Sequence, residues 1–293
     1  MKVGLAQMDC SLGDVEANLS RALRYVRQAK EQGVDLLIFP ELSLTGYDLG
    51  EQVAEVAMTL EAQPLATLQA ESRALSLVVG FVEKSTHHRH HNAAVYLEDG
   101  QVRHLHRKLY LPTYAVFQEG RRFVPGDSIE AFDTRHGRMA ILICADAWIP
   151  PVAYIAVQDG ASLLLHPAAS SKQGLGEYLD LPTCWEGINR VFAQLHGVYV
   201  IFVNRVGREG DLHYWGGSEV IDPRGRVVVK APYFEEGLFS GEIHLEMVKE
   251  QRAAAPLMRD PRLGLLIREM QRVQDKLRKE NSNVKWRPDR RTV

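Results

Sequence analysis

Two rhythms of apolar residues run along this chain: short continuous apolar runs, and longer stretches with apolar positions three and four apart. The first rhythm predicts buried strands and the second predicts helices that cover them. Residues 3–8 read as a short strand, followed by a helix opened by Asp14 or Asn18 with Leu19, Leu23, Val26 and Ala29 on one face. Residues 34–39 are apolar apart from Asp35 and stop at Pro40, as expected of a fully buried strand. A helical pattern covers 53–72 and a strand 75–82. The runs 93–97 and 102–107 flank Asp99-Gly100, a strong hairpin turn. Strands follow at 129–133 and 139–144, then a helix at 151–159, a strand at 162–166 and a helix at 184–196. The segments 199–204, 217–221, 226–230 and 237–243 complete the strands, with Asp222-Pro223-Arg224-Gly225 as a turn between two of them.

Helices recur between strands without the uniform spacing of a dinucleotide-binding unit, and no glycine-rich phosphate loop follows a strand. The pattern predicts a mixed α/β domain whose helices cover a sheet. No repeat or low-complexity linker divides residues 1–261, which read as one domain. Residues 262–293 differ: ten Lys and Arg against four Asp and Glu make a local charge of +6. Leu263, Leu266, Met270, Val273 and Leu277 recur there at helical spacing. The tail is read as a basic helical extension packed on its own domain or on a second subunit.

Composition narrows the class. The 293 residues are 45% hydrophobic and 25% charged, an ordinary globular balance, and are long enough to bury a large core without disulfide or metal support. The formal charge of -2 argues against a nucleic-acid binder in bulk, and with +6 in the tail it leaves -8 for residues 1–261. Three scattered cysteines, Cys10, Cys144 and Cys184, form neither a disulfide framework nor a paired-cysteine zinc site. They suit a reducing compartment. With no secretory signal pattern and no apolar run of membrane-spanning length, a cytoplasmic protein is expected that binds neither membrane nor nucleic acid. His87, His88, His90 and His91 lie in a hairpin loop with no carboxylate or cysteine nearby in sequence, so a solvated loop is expected rather than a metal site.

Candidate chemistry sits at the ends of expected strands. Glu41 follows LLIFP, Lys108 follows VRHLHR and Cys144 closes MAILIC. Groups at strand ends face the crevice where ligands bind in α/β sheets. Each alone has a plain explanation: a buried apolar thiol, or a solvated or paired charge. Together they are the types that acyl transfer through a thiol needs. Glu41 could take the thiol proton, Lys108 could favour the anion and the oxyanion, and Cys144 on a strand-to-helix elbow would aim the Ala145 N–H at that oxyanion.

FPELSLTGY, HRKLYLPTYAVFQEGRRFVPG and ILICADAWIP resemble, in order, the three signature blocks of the nitrilase superfamily of carbon–nitrogen hydrolases. The resemblance extends over residues 1 to about 262, taking in HPAASS at 166–171, the Trp185/Arg190 helix and WGGSEVIDPRG at 215–225. It implies a four-layer αββα sandwich that forms homodimers or larger assemblies, and a Glu41-Lys108-Cys144 triad. It further implies that Glu119 holds Lys108 and the substrate amide, although a salt bridge from Glu119 to Arg121 or Arg122 is the structural alternative. The implied reaction is hydrolysis of a small amide through a thioester, with no metal or organic cofactor.

Within the superfamily the blocks look most like the glutaminase domain of glutamine-dependent NAD synthetases. That likeness implies substrate contacts at Tyr47, Tyr114 and Ser171, with Ser171 preferred slightly over Ser170. The glutaminase pattern has a glutamate directly after the nucleophile, where this chain has Ala145, and the residues after 250 are not expected to hold a synthetase domain. Losing a carboxylate aimed at an ammonium removes roughly 2–3 kcal/mol, so free glutamine is a doubtful substrate. A stand-alone amidase is expected. An N-carbamoyl amide hydrolase, an ammonia-supplying subunit and a non-catalytic binder are the alternatives, and nitrile hydrolysis is disfavoured because Ala-Asp follows the nucleophile in place of Trp-Glu. Asp146 is read as a structural cap of the elbow, or else as a group facing a cationic substrate.

Overall fold

The computed structural model describes residues 1–173, 175, 178–259 and 261–283. They divide into two units, Met1–Pro256 and Leu257–Val293. In the first unit β1 (Lys2–Gln7), α1 (Val15–Glu31) and β2 (Leu36–Ile38) open the chain. Asp14 caps α1 by accepting the Ala17 N–H at 2.9 Å. Asn18 is instead a buried strut that donates to the carbonyls of Ser11 and Leu44.

The continuous helix expected over 53–72 is two pieces, α2 (Val53–Val56) and α3 (Gln63–Glu71). Met58 breaks it, because its backbone bonds to Val82 and Lys84 along the edge of β3 (Ser76–Lys84). Pro64, which has no N–H to give, then starts α3 afresh. The expected hairpin is β4 (His90–Glu98) and β5 (Gln101–Arg107). Next come β6 (Phe132–Thr134), β7 (Gly137–Ile141), α4 (Pro150–Gln158), β8 (Leu163–Ala168), α5 (Leu181–His196) and β9 (Tyr199–Asn204). The unit closes with β10 (Val206–Glu209), β11 (Leu212–Trp215), β12 (Glu219–Ile221), β13 (Val227–Lys230), β14 (Gly237–Glu242) and α6 (Glu246–Ala254).

Two six-stranded mixed sheets result, in the orders β14-β1-β2-β3-β4-β5 and β13-β12-β9-β8-β7-β6. Each has a parallel centre, β1-β2-β3 in one and β7-β8-β9 in the other, flanked by antiparallel strands. Alternate residues explain the layering. Leu5, Ile38 and Val78 from the first sheet pack with Ile141, Leu165 and Ile201 from the second. The opposite faces take helices: Ala6, Leu37 and Val79 pack with Leu19, Val26 and Leu68 of α1 and α3. On the far side Trp185 of α5 stacks on Phe202 of β9 at 4.6 Å. This is the αββα sandwich that the resemblance implies.

Two further departures have local causes. The strand expected to reach residue 144 ends at Ile141, because the Asp146 carboxylate takes the Ile143 N–H and Cys144 lies at φ 46°, outside the strand region. The β10-β11 hairpin went unread because its strands carry Arg208, Glu209 and His213 among apolar residues, although its Gly210-Asp211 turn is a recognisable signal. The second unit contains α7 (Leu263–Asn283), over the stretch where helical spacing was read. Among the described residues no helix is long and apolar enough to cross a membrane.

Candidate active site

Two of the three strand-end residues, Glu41 and Lys108, converge because their strands run the same way. β5 is two antiparallel steps from β3, which is parallel to β2, so the C-terminal ends of β2 and β5 lie at one end of the first sheet. Glu41 follows β2 and Lys108 follows β5. Both side chains are buried, and Lys108 Nζ donates to Glu41 Oε1 at 2.6 Å. Glu119, at the start of a single 3-10 turn (Glu119–Arg121), accepts from the same ammonium at 2.6 Å. The alternative pairing of Glu119 with its neighbouring arginines does not occur: Arg122 pairs with Glu51.

Neighbouring backbone fixes this arrangement. Glu41 Oε2 accepts the Ala169 N–H at 2.8 Å. Gly80 on β3 lets the Glu41 turn lie against the sheet, since a Cβ there would sit 2.5 Å from both the Pro40 carbonyl and the Leu42 nitrogen. Asn92 of β4, which the sequence reading missed, donates to Glu41 Oε1 at 2.7 Å and reaches Glu119 Oε2 at 3.4 Å. Tyr47 donates its hydroxyl to Glu119 Oε1 at 2.5 Å. An asparagine directly before the apolar run 93–97 was the sequence signal for Asn92.

Cys144 starts the five-residue 3-10 turn Cys144–Trp148 beyond β7, at positive φ. Such a conformation costs a non-glycine residue of order 1–3 kcal/mol and persists only where its surroundings over-determine it. The over-determining group is Asp146. Its buried carboxylate accepts the N–H groups of Ile143 (3.1 Å), Leu109 (2.9 Å) and Tyr110 (2.9 Å), and His106 Nε2 lies 3.0 Å away. Of the two readings of Asp146, the structural one matches this geometry. It ties the cysteine elbow to the segment carrying Lys108.

The electrostatics follow from burial. Burial pushes the Cys144 thiol well above its ordinary pKa and the Glu41 charge adds to this, while Lys108 opposes it. Burial disfavours the Lys108 charge, but the carboxylates of Glu119 and Glu41 outweigh it and hold the ammonium well above its usual range. Glu119 is raised to about 7, chiefly by burial and against the pull of Lys108, with Glu41 adding to the rise. The arrangement thus places a protonated thiol beside a carboxylate and a permanent ammonium. Chemically, that set can move one proton and stabilise one developing negative charge.

A cleft enclosing about 460 Å³ of empty space, its open mouth included, lies over Cys144. Tyr47, Tyr114 and Ala145 line it, as does Ser170. Ser171, the serine preferred from the resemblance, is fully buried, and its Oγ has no hydrogen-bond partner. Ser170 faces the cleft because its Oγ accepts from the indoles of Trp185 (3.1 Å) and Trp215 (3.2 Å). Among the described residues no cluster of His, Cys, Asp and Glu could hold a metal ion. Of the histidines expected in a solvated loop, His90 and His91 instead begin β4, and His91 is buried, where its ring engages the Val124 carbonyl and the Ser85 hydroxyl.

Comparison with known proteins yields a match of residues 2–253 to the family model described as carbon-nitrogen hydrolase. Glutamine-dependent NAD(+) synthetase of Thermotoga maritima is 31% identical over 251 residues, which are 84% of this chain and 42% of that protein. N-carbamoylputrescine amidase of Arabidopsis thaliana is 27% identical over 279 residues, covering 90% of this chain and 93% of that one. The crystal structure of a carbon-nitrogen hydrolase from Helicobacter pylori G27 superposes with a TM-score of 0.78 at 28% identity, over 90% of this chain and 96% of that one. The chain therefore spans less than half the length of the synthetase and nearly the whole length of the other two.

Proposed function

Because the chain belongs to the carbon-nitrogen hydrolase family, we propose that it is an amidase acting on a small amide through a thioester on Cys144. The observation that carries this reading is the Lys108 ammonium held at 2.6 Å from both Glu41 and Glu119, beside a thiol at the base of a cleft.

In the first half-reaction Glu41 takes the thiol proton as Sγ bonds to the amide carbon. The oxyanion that forms draws on the Lys108 ammonium and the Ala145 N–H, each such donor being worth roughly 3–4 kcal/mol in a preorganised site. The C–N bond then breaks, and the leaving nitrogen takes the proton from Glu41 and departs as ammonia or amine. In the second half Glu41 removes a proton from water as its oxygen attacks the thioester. The C–S bond breaks, the thiol regains its proton and the acid leaves. Glu119 keeps Lys108 in register through both halves, with Tyr47 and Asn92 holding the Glu119 carboxylate. No step calls for a metal or organic cofactor.

A second reading is favoured by the near full-length match to an N-carbamoylputrescine amidase. On an N-carbamoyl substrate the same cycle would release ammonia and then a carbamic acid, which splits into carbon dioxide and the free amine. A glutaminase role is opposed by Ala145, where the glutaminase pattern carries a glutamate. The test is an ammonia-release screen over glutamine, ω-amides, N-carbamoyl compounds and aliphatic nitriles, with intact-mass analysis of the quenched protein. Ammonia from an amide together with an acyl mass on Cys144 is expected. Ammonia with equimolar carbon dioxide from an N-carbamoyl compound alone would favour the second reading. A protein that binds these compounds but releases nothing and acquires no adduct is a binder, and the proposal falls.

A further inference from the structure

The Tyr47 hydroxyl bonds to the same Glu119 oxygen that receives the Lys108 ammonium. A tyrosine side chain is rigid, so the place of that hydroxyl is set by the backbone that carries it. Residue 47 lies in no helix or strand. Its backbone is held instead by Glu209, 162 residues further along the chain at the end of β10. The Glu209 carboxylate accepts the Tyr47 N–H at 3.1 Å, the Asp48 N–H at 2.9 Å and the Tyr214 hydroxyl at 3.0 Å. Gly46 makes this approach possible: it lies at φ 79°, and a Cβ there would sit 2.9 Å from Glu209 Oε1.

Glu209 is fixed in turn by Arg205. That guanidinium is fully buried and pairs with Glu209. It also donates to the Cys10 carbonyl at 2.9 Å, meets Asp9 at 3.3 Å and lies over the Tyr214 ring at 4.1 Å. A buried ion pair adds little net stability over apolar packing of the same volume. What it supplies is a carboxylate with one place to be, since leaving either charge alone in the interior is strongly unfavourable. Neither Arg205 nor Glu209 lines the cleft over Cys144.

Resting on the amidase reading above, we infer that Glu209 is a positioning residue for the reaction: anchored on Arg205, it seats the backbone of Tyr47, and Tyr47 holds Glu119 against Lys108. The relay ends on groups that titrate. Glu119 faces Lys108, Glu41, Asn92 and Tyr47, with Arg122 closing its own turn. Glu209 faces Arg205, Asp48 and Tyr214, with Asp9 and the buried Cys10 thiol beside them. The Tyr47 hydrogen bond favours the charged form of Glu119, against the burial that raises its carboxyl to about 7. Loosening Tyr47 therefore moves the loss of activity on the acid side to higher pH.

Ammonia release by the full chain, on the best amide of the screen, tests the relay with Glu209→Gln, Tyr47→Phe and the double variant. Glutamine at 209 exchanges one acceptor oxygen for a donor, which then faces either Arg205 or the N–H groups of residues 47 and 48. Glu209→Gln should lower kcat by about tenfold or more with a smaller change in KM. It should also move the acid limb to higher pH, the direction in which Tyr47→Phe moves it. The double variant should fall within about threefold of the worse single one, because both remove the same hold. A residue that served folding alone would lower stability and leave the limb in place. Glu209→Asp keeps a charge for Arg205 while drawing its oxygens back by a methylene, and takes the same measurements should the glutamine variant fail to fold. Wild-type kcat and pH limb in a folded Glu209 variant, or losses that multiply in full in the double, overturn this inference and leave the amidase reading standing. So does a wild-type profile with no limb near pH 7. No ammonia and no Cys144 adduct from any amide removes both.

Discussion

At φ 46°, Cys144 holds its thiol where an ordinary strand could not, one residue beyond an Ile143 N–H captured by Asp146. Glu41 is placed as tightly, against a glycine. Gly80→Ala would drive a methyl group into the backbone of residues 40 and 42, so one of the two segments must move. That change should cost about 1–3 kcal/mol of stability, read by denaturant unfolding. It should also lower kcat by about tenfold or more, because a displacement of an ångström at a catalytic group is that expensive. Glu119 governs the response to pH. Its carboxyl is raised to about 7, so below that pH it binds a proton and Lys108 loses one of its two carboxylate partners. The sign is therefore a loss of kcat/KM as pH falls through about 7. In Glu119→Gln that group no longer titrates, and the limb near pH 7 should vanish from whatever activity survives. A wild-type profile flat across pH 6–8 would contradict this role.

Among the elements, the most consequential contact is the strap between the Cys144 turn and the end of β5. Asp146 receives N–H groups from both sides of it and meets His106 of β5, so Cys144 and Lys108 are positioned by one carboxylate. Asp146→Asn turns one acceptor oxygen into a donor facing N–H groups. It should destabilise the protein by about 1–3 kcal/mol and lower kcat more than it raises KM, since the bound substrate is untouched while the reacting groups drift apart. An unchanged kcat in a folded variant would disprove the strap. Much of this level was legible beforehand. Glu41 and Cys144 each end an apolar run and Lys108 follows a hairpin strand, and such patterns reveal strands and the residues that leave them. Asn92, Gly80 and the partners of Asp146 were not legible, because their work is done across strands brought together from distant stretches of chain. The same reason explains the split of the 53–72 helix: Met58 is captured by the edge of β3, a partner absent from any local window. Ser170 and Ser171 look alike in sequence, and only the two indoles bonded to Ser170 separate them.

On the scale of the whole molecule, two sheets with parallel centres stack so that Cys144 follows a strand of one while Glu41 and Lys108 follow strands of the other. The site therefore belongs entirely to the unit Met1–Pro256. A chain ended after Pro256 should keep cooperative unfolding and ammonia release. From the apolar spacing along α7 and the +6 charge of residues 262–293, we propose that this segment serves assembly. The full chain is expected to sediment as a homodimer or larger, and the shortened one as a smaller species. Identical sedimentation of the two would assign the tail another role. The central claim is that one of three cysteines, Cys144, does the chemistry. It is tested most directly by the rate of ammonia release from Cys144→Ala, measured on the best amide of the screen with the fold verified by circular dichroism. The account predicts a loss of at least about a thousandfold in a folded protein; a rate within tenfold of wild type would contradict it.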